Sequence, residues 1–140
     1  MKTTDAISLI SKIREKANKR IVNEMEANGI GSIVTSHGDI LYALFANKQM
    51  TMAEIAEKIG KDKSTVTALI DKLVKLEYVT KERNSQDTRV IFVSLTSKGI
   101  QLQPIFESIS TKILDVFFLG ISNKEQVELI QILSKIYKNL

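Results

Sequence analysis

The chain has no cysteine and no tryptophan, and only one histidine and one proline among 140 residues. Without cysteine there is no disulfide, no thiolate metal site, no thiol redox sensor and no cysteine nucleophile. The lone imidazole, His37, cannot build a zinc site of the usual nitrogen and sulfur kind, so no metal or cofactor is expected. A structural or ligand-lining role suits it better. No Gly-rich phosphate loop, nucleophile elbow or HExxH pair is present, and an enzyme is not expected. Long hydrophobic runs are also missing: the most apolar stretch, Ile113 to Ile121, contains Asp115 and falls far short of the roughly 20 residues that cross a bilayer. The first residues, Met-Lys-Thr-Thr-Asp, lack the apolar run and small-residue site of a secretory signal. The cytoplasm is the expected address.

What is present describes a globular protein, 44% hydrophobic and 26% charged, of single-domain size. The net charge of +4 is mild, and only its placement informs. Residues 58–91 hold eight Lys/Arg against five Asp/Glu, a net +3. Most of the excess lies there.

That region centres on Lys61 to Val74. Val66, Leu69, Ile70, Leu73 and Leu76 recur at three- and four-residue steps, which predicts a helix with one apolar side. The other side carries Lys63, Ser64, Thr65, Thr67, Ala68 and Lys72, with Lys61 just before it. Short hydroxyls and methyls there can reach base edges and thymine methyls, while the lysines hold phosphates. Before it, Thr51 and Glu54 form a capping box for a short helix ending at Ile59-Gly60, and Asp62 is a ready N-cap. Together these make a helix-turn-helix. After it, Tyr78 to Arg83 and Val90 to Leu95 read as two strands around the polar turn Asn84 to Arg89, a hairpin placed as a wing. Arg89 at its end can enter a minor groove, where narrow A·T tracts concentrate negative potential; Asp87 is placed to orient it.

The flanks are helical. Ile7, Ile10, Ile13, Ala17, Ile21 and Met25 keep helical spacing from Thr4 to about Asn28, and Ser36 with Asp39 can cap a short second helix. Thr96 caps a long helix through Phe117, with a kink expected near Ile100 to Pro104; Gly120 stops it, and Ser122 with Glu125 opens the last one. In these terminal helices Ile7, Ile10, Ile13, Phe117, Phe118, Ile130, Leu133, Ile136 and Tyr137 present more apolar surface than one chain can cover. Surface of that kind marks an interface, here that of a twofold homodimer. The expected fold is mainly α with a small β-hairpin wing. A winged helix-turn-helix, residues 36–96, is set in a helical dimerisation region, residues 1–35 and 97–140.

The chain resembles the multiple-antibiotic-resistance regulator (MarR) family of winged helix-turn-helix transcription factors. The resemblance is carried by Thr51-Met-Ala-Glu-Ile-Ala, Lys63-Ser-Thr-Val-Thr-Ala-Leu-Ile-Asp-Lys-Leu, Asp87-Thr-Arg89 and Val93-Ser-Leu-Thr-Ser-Lys-Gly99, and more weakly by Ser36-His-Gly-Asp-Ile-Leu. It implies a dimeric regulator, mostly a repressor, that binds an imperfect palindrome in double-stranded DNA. It implies base contacts from Ser64, Thr65 and Thr67 and a minor-groove contact from Arg89. It also implies release by a small aromatic or anionic effector, for which His37 and Tyr42 are the candidate contacts. Three departures stand out. Ala68 occupies a position where the family often has Arg, Lys81 replaces a frequent Arg with Arg83 as a substitute, and Glu77 takes the usual Gly position after the reading helix. The competing reading is a winged-helix protein-interaction module without specific DNA binding, but the presented face lacks the Trp, Tyr and Arg anchors of protein hot spots.

Overall fold

The computed structural model describes residues 1–140. A short 3-10 turn leads into α1 (Ala6–Ala27), followed by α2 (Thr35–Asn47), β1 (Gln49–Thr51), α3 (Met52–Ile59) and α4 (Lys63–Lys75). Then come β2 (Val79–Arg83), β3 (Ile91–Leu95), α5 (Ser97–Ile100), α6 (Gln103–Phe117) and α7 (Asn123–Asn139). The three strands form one antiparallel sheet in the order β1-β3-β2. β2 and β3 pair from Val79↔Leu95 to Arg83↔Ile91, and β1 adds Met50↔Val93 on the other edge of β3.

Local chemistry sets most boundaries. Thr51 accepts the Glu54 N–H while Glu54 accepts the Thr51 N–H, the reciprocal box read from the sequence. Gly60 ends α3 at φ 67°, a left-handed conformation that glycine adopts without strain. Ser122 and Glu125 form the same reciprocal box at the start of α7.

Two local expectations change. α2 starts two residues earlier than a Ser36 cap would place it, with Val34 at its N-cap, and neither Ser36 nor Asp39 caps it. Instead His37 Nδ1 accepts the Val34 N–H at 3.0 Å. Val34 has no side-chain acceptor to return the bond, so only half of a capping box exists. The kink expected near Ile100 to Pro104 is a full break there, so the long helix after Thr96 is two helices. Pro104 cannot donate to the carbonyl of Ile100, and the chain bends at Gln101 and Leu102, so that Pro104 falls in the first turn of α6, where no donor is needed.

All nineteen residues of the apolar core lie between Met25 and Ile109. The core joins α2, α3, α4 and the sheet to the end of α1 and the start of α6, with Ile40, Leu41, Leu44, Ile55, Ile70 and Leu73 fully enclosed. The ends are different. Ile7 is 84% exposed, Phe117 43% and Ile130 56%, and α7 has no buried residue at all. No helix is long and apolar enough to cross a membrane.

Candidate nucleic-acid interface

α4 is amphipathic in the way its sequence demands. Val66, Ile70 and Leu73 enter the core, and Lys63, Ser64, Thr67, Ala68 and Lys72 are exposed, with Thr65 and Lys61 half-buried. Asp62 caps the helix by accepting the Thr65 N–H at 2.8 Å, and it also receives the Ser64 hydroxyl at 2.9 Å. These bonds, that of the Thr65 amide first, hold the Asp62 carboxyl below its usual range. The Thr67 hydroxyl donates to the Lys63 carbonyl at 2.8 Å. Ser64 and Thr67 therefore turn their protons inward and present free lone pairs and, for Thr67, a methyl group. As set, they suit a base-edge donor or an apolar contact.

The wing is braced from within. Arg83 donates to the Thr88 carbonyl at 2.6 Å, and Asn84 Oδ1 accepts the Gln86 N–H at 2.9 Å. Asp87 accepts from the Arg89 backbone N–H, from its Nε and from its Nη2, all at 3.1 to 3.2 Å. The Arg89 guanidinium first, and then its amide, hold the Asp87 carboxyl below the usual range. The Arg89 side chain is nonetheless 90% exposed. An exposed pair of this kind is weak, so Asp87 aims the guanidinium outward without locking it away.

Not every predicted side chain points the same way. Lys81 is held at 2.6 Å by Asp71 on α4, so it ties the wing to the helix instead of standing free. Arg83 is likewise engaged within the wing. All three wing cations read from the sequence are exposed and each has a partner; the Arg89 side chain, 90% exposed, is held only by Asp87 at the wing tip.

Glu77 adopts φ 68°. It is the left-handed residue of a Schellman closure in which the Glu77 N–H reaches the Val74 carbonyl and the Tyr78 N–H reaches that of Leu73. A non-glycine residue there carries a strain of roughly 1 kcal/mol. The closure leaves the carbonyls of Leu76 and Glu77 without helix partners. Lys98 Nζ donates to the first at 3.1 Å and the Thr96 hydroxyl to the second at 2.6 Å. Sequence reading placed Thr96 only as a helix cap and gave Lys98 no role. The signal lay in the order Thr-x-Lys-Gly, but its partner was twenty residues away.

His37 is buried beside this interface. Burial, and then the charge of Lys72, push its pKa below the ordinary 6.5. Its Nδ1 must stay unprotonated to accept the Val34 N–H. For a base with a lowered folded value, the stabilisation is present above pH 6.5 and is lost as pH falls through the folded value. Urea unfolding is expected to show stability falling below about pH 6.5, with a slope of at most about 1.4 kcal/mol per pH unit from this group. His37→Gln should flatten that component. An unchanged slope in the variant would remove His37 from the account.

Between α1, α2 and α6 lies a cavity of about 220 Å³, walled by Ile21, Met25, Tyr42, Phe106 and Ile109 among others. Tyr42 meets Phe106 edge-on at 5.6 Å and donates its hydroxyl to the Phe106 carbonyl at 2.6 Å. Asp39 is among the residues that line it, its pKa raised mainly by burial against the opposing charges of Arg14 and Lys61. His37 is not among the wall residues.

Comparison with known proteins agrees with this geometry. The profile of the MarR family matches residues 35–91. HTH-type transcriptional regulator SarZ of Staphylococcus epidermidis is 30% identical over 92 residues, 66% of this chain and 61% of that protein. SarZ of Staphylococcus aureus is 30% identical over 91 residues, and in both cases the match spans less than two thirds of the relative. Among solved structures, a MarR transcriptional regulator from Methanosarcina mazei superposes with a TM-score of 0.85 at 23% identity, covering 98% of this chain and 96% of that one. S. aureus MepR, solved in a complex with DNA, gives 0.88 at 23% identity over 100% and 99%. An E. coli MarR mutant complexed with operator DNA gives 0.79 at 19% over 97% and 99%. At these identities the structural likeness speaks for the fold alone.

Proposed function

We propose that the chain is a winged helix-turn-helix transcriptional regulator of the MarR family, whose profile matches residues 35–91, and that it binds a pseudo-palindromic operator as a homodimer and represses transcription from it. The observation that carries this reading is the pairing of an exposed Lys, Ser and Thr face on α4 with an outward, carboxylate-aimed Arg89 on the wing. α4 enters a major groove, where Ser64, Thr65, Thr67 and Ala68 meet base edges and Lys61, Lys63 and Lys72 meet phosphates. Arg89 enters the neighbouring minor groove. Ala68 offers no guanidinium for guanine, so readout on α4 is through small contacts and favours A·T-rich sites. Lys81 and Arg83 support the wing's shape in this scheme, since both are engaged within the protein.

The cavity is the place for an effector. An aromatic ring fits among Ile21, Met25 and Phe106, and Tyr42 contributes its face. The Asp39 carboxylate in the lining works against an anionic group there, which favours the aromatic half of the expectation.

Selection of binding sites from random duplexes with the purified protein tests the reading. The expected result is a preferred sequence with two related halves about one turn apart, roughly 34 to 36 Å, bound more weakly as salt rises. Arg89→Ala is expected to weaken that site by roughly tenfold or more and to relax preference at the wing positions. Recovery of no preferred sequence would overturn the regulator reading.

A further inference from the structure

The Thr96-to-Gly99 turn grips the end of the helix that the proposed function assigns to base reading. Thr96 donates its hydroxyl to the Glu77 carbonyl at 2.6 Å and accepts the Gly99 N–H at 3.0 Å, while its backbone N–H reaches the Tyr78 carbonyl at 3.0 Å. Lys98 Nζ donates to the Leu76 carbonyl at 3.1 Å, stands 5.2 Å over the Tyr78 ring and lies 3.9 Å from Glu77. Two carbonyls just past the C-terminal end of α4, those of Leu76 and Glu77, are thus held by side chains from a different element. A cation there also complements the negative end of the helix.

We propose that Thr96 and Lys98 are positioning residues for DNA recognition: they fix the axis of α4 from its C-terminal end and so set how its N-terminal side chains meet base edges. The proposal rests on the regulator reading. The N-terminal half of α4 carries the base-reading residues, and a helix of thirteen residues is about 20 Å long. A small tilt at the gripped end therefore becomes a larger displacement at the reading end. Core contacts from Val66, Ile70 and Leu73 hold the helix against the lobe, but the hydrophobic term is itself non-directional. The two hydrogen bonds supply the direction.

Lys98 has an ordinary alternative role, a phosphate contact, and the salt dependence separates the two. Cognate and scrambled duplexes are titrated across a salt series with the full chain and with Lys98→Met, Lys98→Arg, Thr96→Val and Thr96→Ser, each checked for folding by thermal unfolding. For Lys98→Met and Thr96→Val the expected result is a cognate affinity lower by roughly five- to tenfold, the scale of one lost hydrogen bond. Scrambled-duplex affinity and the salt slope are unchanged. Lys98→Arg and Thr96→Ser, which keep the donors, restore the preference. A slope shallower by about one, with equal loss on both duplexes, identifies a phosphate contact and overturns the proposal. So does a folded Thr96→Val that keeps the full preference. If the unsubstituted protein shows no preferred site, the regulator reading itself falls, a result distinct from an intact preference in the variants.

Discussion

Gly99→Ala is expected to lose about 3 kcal/mol of stability or more, lowering Tm by roughly 10 °C at equal protein concentration. A methyl built on Gly99 overlaps the Tyr78 carbonyl oxygen and meets Leu95 Cδ2 at 3.1 Å. The first neighbour is backbone and cannot rotate away. Nor can it shift freely, because the Tyr78 carbonyl already accepts the Thr96 N–H and the Tyr78 N–H closes the Schellman motif on Leu73. Moving the chain apart loosens these bonds, each worth about 1 kcal/mol, and displaces Lys98 from Leu76. The reason for glycine is thus space, whereas Gly60 has nothing within 4 Å of its missing side chain and is needed for its φ of 67°. Thermal unfolding of the two proteins decides the matter. A Tm within two or three degrees of the parent would show that the turn can open without harm.

The helices and both wing strands were legible because they rest on local signals: apolar spacing, Thr51 with Glu54, Ser122 with Glu125, and the Gly60 and Gly120 stops. Glu77 was legible as a departure, and its φ of 68° shows that the turn kept its shape and accepted the side chain. Strand β1 was not visible, since three residues give no alternation to count and its partner Val93 lies more than forty residues on. The cap of α2 was misread for a similar reason. Ser36 and Asp39 form a plausible box by spacing, but His37 fills the N3 position once the helix starts at Thr35. Pairings such as Lys81 with Asp71 and Lys98 with Leu76 depend on where the wing folds back. Residue type alone marks such lysines as candidates for phosphate, and only geometry shows that they are already engaged.

Substituting the exposed apolar residues of α7, with Leu133→Glu and Ile136→Glu together, is expected to turn the proposed dimer into single chains and to weaken binding to the proposed operator by roughly 10²- to 10⁴-fold. The affinity loss follows from effective concentration: two joined halves bind as one event, and separated halves must each bind alone. The structural argument is that α7 has no buried residue while Val127, Ile130, Leu133 and Ile136 lie along it, with Phe117 and Leu119 leading into it and Ile7, Ile10 and Ile13 exposed on α1. Each such side chain contributes about 1.5 to 3 kcal/mol when fully covered, far more than a helix of this length has by itself, since isolated helices of about 15 residues are marginal in water. α7 therefore needs a second surface to persist, and the core between Met25 and Ile109 does not provide it. Because that core contains nothing from α7, the double variant should keep the cooperative unfolding of the winged lobe while losing part of its helical ellipticity. Sedimentation should show the parent at twice the 15.7 kDa chain mass and the variant at one. A parent that sediments as a single chain, with α7 still fully helical, would show that α7 persists without a second surface and would overturn the dimer reading.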